Sequence, residues 1–126
     1  GQDANLKRVL TKGCWTPVEA FGTPEGWEAG VPGADGGFEV AWQGRGVGRL
    51  RLELPGAHSR LNALAAIAAA RHAGVEPAAA LAALAAFRGV KRRMELKGSA
   101  GGVAVYDDFA HHPSAIRTTL EGLRQR

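Results

Sequence analysis

The chain has 126 residues, 45% of them apolar and 22% charged, with a formal net charge of +4. That balance suits one ordinary domain, or parts of two, around a buried core, and it excludes a disordered polyelectrolyte. No apolar run approaches the roughly 20 residues of a membrane span, and the densest basic cluster, Lys91-Arg92-Arg93, is too short to track a nucleic-acid backbone.

The first ten residues carry charge and no apolar core, so they do not read as a secretory signal. The lone Cys14 cannot form an intrachain disulfide and fits a reducing, cytoplasmic setting. Gly1-Gln2-Asp3-Ala4-Asn5 lacks an initiator methionine, and Arg126 closes what reads as an unfinished α/β unit, so a fragment is expected. Lys7 to Leu10 is expected as a short strand and Gly13 to Glu19 as a loop or edge segment. Gly22 to Gly37, rich in Gly, Pro and Glu, is expected as loop.

From Gly37 to Gln43 the apolar residues Phe38, Val40 and Trp42 alternate, which predicts a half-buried strand. Leu50, Leu52 and Leu54 alternate with Arg49, Arg51 and Glu53 and predict a second. The glycines of Gly44-Arg45-Gly46-Val47-Gly48 lie between them. A phosphate-binding loop opens a helix, whereas this stretch opens a strand, so it reads as a hairpin turn. A helix is expected from about Leu61 to His72, with Leu61, Leu64 and Ile67 sharing a stripe. Gly74-Val75-Glu76 link it to a second, from Pro77 to about Phe87, striped by Leu81, Leu84 and Phe87. Past Gly89 the pattern gives a strand over Arg93 to Lys97, a turn over Gly98 to Gly102, and a short buried strand over Val103 to Tyr106. Asp107 to His112 reads as a loop. A helix from Pro113 through Arg126 follows, with Ile116, Leu120 and Leu123 on one face. This is a β-loop-α step, and a domain boundary is placed near Val90.

Three segments could carry chemistry. In Gly56 to Asn62, Ser59 is placed to N-cap the helix and Asn62 falls in its first turn. The amide of Asn62 also offers the adjacent donor and acceptor that match the N6/N7 edge of adenine, and His58 could pack on a base. In Lys91 to Glu95, alternation puts Arg93 and Glu95 on one face and Arg92 and Met94 on the other, and an arginine fork suits phosphate oxygens. Asp107-Asp108 ends a strand just before a helix, where open α/β sheets bind ligands and a carboxylate can hold ribose hydroxyls or cap the helix. A metal site is not expected at His111-His112, because adjacent histidines are expected to point apart and no spaced ligand set is present. No Gly-x-x-x-x-Gly-Lys-Ser/Thr loop occurs, so a phosphate cradle would lie outside this chain.

Ala57-His58-Ser59-Arg60-Leu61-Asn62-Ala63-Leu64, then Val90-Lys91-Arg92-Arg93-Met94-Glu95, then Tyr106-Asp107-Asp108-Phe109-Ala110-His111-His112-Pro113, in that order, resemble the Mur ligase family of ATP-dependent amide ligases. The last two blocks, with Gly13-Cys14-Trp15-Thr16-Pro17-Val18-Glu19, resemble the branch that joins UDP-N-acetylmuramate to the tripeptide L-Ala-γ-D-Glu-meso-diaminopimelate in murein recycling. The sister branch adding L-alanine, or a non-catalytic nucleotide-binding domain on the same scaffold, is the alternative.

The resemblance implies an α/β architecture. Residues 1–89 would be the end of a central ATPase domain (β-hairpin plus helical hairpin), and residues 90–126 the first β-loop-α unit of a Rossmann-like C-terminal domain. It implies ATP binding by Asn62, Arg93 and Asp108, with His58 and Ser59 as further candidates. Ser59 stands where the family usually has a first Asn. Asn62 would meet adenine, Asp108 the ribose and Arg93 the phosphates across a domain gap. His111 and His112 are candidates at that gap or toward substrate, without an assigned role. The implied reaction passes through an acyl phosphate, with ATP and magnesium held mainly by residues outside this chain. Its partners are small substrates, with neither nucleic acid nor membrane, and nothing in the sequence fixes an oligomeric state.

Overall fold

The computed structural model describes residues 3–124. Asp3 accepts hydrogen bonds from the amides of Asn5 at 2.8 Å and Leu6 at 2.9 Å, and so caps a short helix, α1 (Ala4–Leu10). The strand expected at Lys7–Leu10 is therefore helical. The Asp3 carboxylate satisfies the first-turn amides locally, where a strand would need a neighbouring edge. Gly13 to Glu19 is loop, as expected. Its last residue, Glu19, accepts the Trp27 indole N–H at 2.8 Å and an Arg71 N–H at 3.2 Å, which tie the loop to the folded body.

β1 (Trp27–Ala29), β2 (Gly37–Trp42) and β3 (Arg45–Arg51) form one antiparallel sheet in chain order. β1 falls inside the segment expected as loop. Three residues are too few for alternation to register, and the strand is anchored instead by Trp27, fully buried and stacked on Trp42 at 6.0 Å. The hairpin between β2 and β3 is tighter than expected. Gln43 and Gly44 have φ of 50° and 74°, giving the two-residue loop whose twist matches its strands. Arg45 to Gly48 already belongs to β3.

α2 (Ala57–His72) and α3 (Pro77–Ala85) form a helical hairpin packed on this sheet. The core joins Trp27, Phe38, Val40 and Leu50 of the sheet to Ala63, Leu64, Ile67, Ala80 and Leu81 of the helices. Each large aliphatic side chain removed from water there contributes about 1.5–3 kcal/mol. Leu61 is not in the stripe; it is 43% exposed. At ~100° per residue it stands about 120° round the helix from Ile67. Phe87 lies beyond the end of α3 and is 41% exposed.

β4 (Glu95–Ala100) and β5 (Val103–Asp107) make a separate antiparallel hairpin about Gly101 and Gly102, and α4 (Pro113–Arg124) follows. The strand expected from Arg93 starts two residues later. Arg92 and Met94 have φ of 60° and 51°, which no strand accommodates. β5 is not buried: Val103 and Val105 are 64% and 57% exposed. Ile116 and Leu120 of α4 are also exposed, while Gly122 is buried and Ala115, Thr119 and Leu123 are half-buried. Gly122 sits where α4 crosses the entry to α2. A Cβ there would lie 3.4 Å from both the Gly56 Cα and the Pro55 carbonyl oxygen. The residues expected to carry this helix to Arg126 extend past the described ones, which end at 124.

Candidate functional site

α2 is entered through Gly56, which is its N-cap and has no side chain to offer. Ser59 is therefore not the cap. It sits in the first turn, buried, and its hydroxyl donates back to the Pro55 carbonyl at 2.9 Å. The earlier helix start moves Asn62 into the second turn, where it shares a face with His58 and Ser59 by i, i+4 and i, i+3 spacing. Asn62 is exposed, and its amide has no hydrogen-bond partner among the described residues.

Facing this turn is the segment 91–94. Its three successive amides at 92–94 each have an acceptor. The Arg92 N–H meets Glu95 Oε2 at 2.9 Å, the Arg93 N–H the Val90 carbonyl at 3.0 Å, and the Met94 N–H Asp108 Oδ2 at 2.9 Å. The Arg92 carbonyl in turn accepts the Phe109 N–H at 2.8 Å. These bonds hold two non-glycine residues in the left-handed region, at a cost of roughly 1–2 kcal/mol each. With that geometry the alternation expected over Arg92 to Glu95 does not apply. Arg92 turns to Asp107, Nε to Oδ2 at 3.6 Å, and its guanidinium lies 5.1 Å from the Phe109 ring. Arg93 makes no ion pair within the described residues and is left facing the cleft. Beside the loop, the Lys97 ammonium and then the Arg92 amide hold the Glu95 carboxyl below its ordinary value.

Asp108 follows the last residue of β5. Besides the Met94 amide, it accepts the Ala110 N–H through Oδ1 at 2.8 Å. A carboxylate has about four lone-pair sites, so two remain for a ligand.

These pieces meet. A cleft of about 420 Å³ is lined by His58, Ser59 and Asn62 of α2, by Arg93 and Met94, by Asp108, and by Thr118 and Thr119 of α4. Leu54, Phe87 and Val90 give it apolar walls. All five residues read from the sequence as nucleotide contacts or candidates thus line one space. Phe87 was expected on the stripe of the second helix and Met94 on a strand face, and Thr118 and Thr119 carried no expectation, because nothing in a helical or linker pattern distinguishes a cleft wall from a solvated face. His111 and His112 do not line the cleft. Their rings do not diverge as expected: the centroids are 4.5 Å apart, and His111 Nδ1 lies 3.1 Å from the Phe109 carbonyl. Among the described residues no group of three or more His, Cys, Asp or Glu side chains is placed to hold a metal ion. No described helix is long and apolar enough to cross a membrane.

Residues 92–126 match the Mur ligase, glutamate ligase domain family. The chain is 49% identical over 123 residues, 97% of its length, to the UDP-N-acetylmuramate–L-alanyl-γ-D-glutamyl-meso-2,6-diaminoheptandioate ligase of Escherichia coli (strain K12). The chain belongs to the Mur ligase family. The murein peptide ligase of Psychrobacter arcticus 273-4 superposes over 99% of the chain with a TM-score of 0.72 at 41% identity, so the mixed α/β fold is that of the family. The UDP-N-acetylmuramate–L-alanine ligase of Paenarthrobacter aurescens (strain TC1) is 46% identical over 98% of the chain. This Mur ligase chain spans 27% of the length of each of these three proteins.

Proposed function

We propose that this chain forms the adenosine-facing seam of an ATP-dependent ligase that joins UDP-N-acetylmuramate to L-Ala-γ-D-Glu-meso-diaminopimelate in cell-wall peptide recycling. The observation that carries the reading is the convergence of Asn62, Arg93 and Asp108, from three separate segments, on one cleft. The amide of Asn62, without a hydrogen bond to any described residue, suits the adenine edge, and His58 beside it suits the base face. The spare lone pairs of Asp108 suit ribose hydroxyls. The guanidinium of Arg93, in no ion pair among the described residues, suits phosphate oxygens, where charge grows as the phosphoryl group moves. The Ser59 hydroxyl donates its hydrogen bond to the Pro55 carbonyl and toward a ligand can only accept.

On this reading ATP phosphorylates the UDP-N-acetylmuramate carboxylate. The tripeptide amine then attacks the acyl phosphate, and phosphate leaves from a tetrahedral intermediate. Among the described residues no group of three or more metal-ligating side chains is gathered, and this chain's share of the work is to hold the nucleotide. The phosphate loop and the UDP-binding part belong to the remaining length of the ligase, and the 126-residue chain alone turns over no ATP.

The 46% identity to an L-alanine-adding enzyme supports a second reading, in which L-alanine is the amine. Phosphate release by the full-length protein, with ATP, UDP-N-acetylmuramate and either tripeptide or L-alanine, separates the two. Turnover with tripeptide is expected. Turnover with L-alanine alone selects the second reading, and none with either amine leaves a non-catalytic nucleotide-binding domain.

A further inference from the structure

We infer that Asp108 is a positioning residue for Arg93, acting through the backbone of the loop 91–94. The inference rests on the nucleotide reading above and concerns how the phosphate-facing cation is held. Arg93 stands between two non-glycine residues with positive φ, Arg92 at 60° and Met94 at 51°. Such a conformation persists only where its surroundings over-determine it. Here they do so mainly from one place, the end of β5. The Asp108 carboxylate takes the Met94 amide with one oxygen and the Ala110 amide with the other, while the neighbouring Phe109 amide takes the Arg92 carbonyl. Asp107 holds the Arg92 side chain away from the cleft at 3.6 Å.

The flanking arginine is thus committed to the end of β5, and the middle one is free to face the ligand. Removing the Asp108 carboxylate frees the Met94 amide, releases the strain at Arg92 and Met94, and lets Arg93 leave its place. A carboxylate that only accepted ribose hydroxyls would have no such reach.

The two roles separate with a nucleotide that lacks those hydroxyls. Dissociation constants for ATP and 2′,3′-dideoxy-ATP are measured on the full-length ligase, as wild type, Asp108→Ala, Arg93→Ala and the double variant. Asp108→Ala is expected to weaken dideoxy-ATP by about tenfold, the loss of roughly one charge-assisted contact. In the Arg93→Ala background the same change is expected to add less than about twofold, because the group it positions is gone. Asp108→Asn, which keeps one acceptor oxygen, is expected to recover part of the loss. The inference is overturned if Asp108→Ala weakens ATP but leaves dideoxy-ATP unchanged, or if the two losses simply multiply. It is also overturned if UDP-N-acetylmuramate binding falls in parallel, which marks general unfolding. Should the wild type bind neither nucleotide, the nucleotide reading itself fails and takes this inference with it.

Discussion

Replacing Asn62 with alanine is expected to separate ligand binding from stability. Asn62 lies in the second turn of α2, exposed, and makes no hydrogen bond to a described residue. Truncation therefore breaks no hydrogen bond to a described residue, and alanine is the better helix former by up to about 0.7 kcal/mol. Thermal midpoint is expected to hold or to rise by roughly 1–3 °C. Binding is expected to move the other way. A paired donor and acceptor on a base edge is worth about 1–3 kcal/mol, which is a loss of roughly 5- to 150-fold in affinity for ATP. Binding isotherms for ATP and GTP on the full-length ligase read this directly. The variant is expected to lose ATP affinity and most of its preference for adenine over guanine. Unchanged ATP affinity, or a midpoint several degrees lower, would refute the reasoning, since Asn62 would then be either idle or structural.

Ser59→Ala strips the donor from the half-buried Pro55 carbonyl and is expected to cost about 1 kcal/mol in denaturant unfolding. It is expected to change ATP affinity little; a loss as large as that of Asn62→Ala would show the hydroxyl is aimed at the nucleotide. Gly122→Ala is expected to be close to neutral, its Cβ fitting at ordinary contact distance, whereas Gly122→Val is expected to push α4 off Pro55 and Gly56 and weaken ATP binding. Glu95 titrates below its ordinary 4.5 because of Lys97 and the Arg92 amide. A depressed folded value gives a contribution that is complete above the unfolded value and is lost as pH falls through the folded one. Hydrogen exchange at the Arg92 amide is therefore expected to lose protection below about pH 4.5, and Glu95→Gln to remove that acid-dependent step.

The sheet was legible where alternation ran long enough. Phe38 and Val40 are buried as their spacing requires, and Pro77 begins α3 as its fixed φ favours. β1 was not, because its placement depends on Trp27 reaching a core built from residues far along the chain. Apolar spacing reports which face can be buried and not whether anything covers it, so Val103 and Val105 of the strand expected buried stand exposed, as do Ile116 and Leu120 of the face they share with Leu123. The cleft residues were legible as residue types in sequence blocks. What the blocks could not convey was that one Asp108 oxygen accepts from the loop carrying Arg93, because that bond joins residues fourteen apart and depends on two positive φ values.

ATP is expected in the cleft where α2, the 91–94 loop and the end of β5 meet. Hydrogen exchange of the full-length ligase, with and without saturating ATP, tests it most directly. Added protection is expected in residues 58–62, 92–94 and 108–110 together. Protection confined to other segments, with all three of these unchanged at saturation, would contradict it.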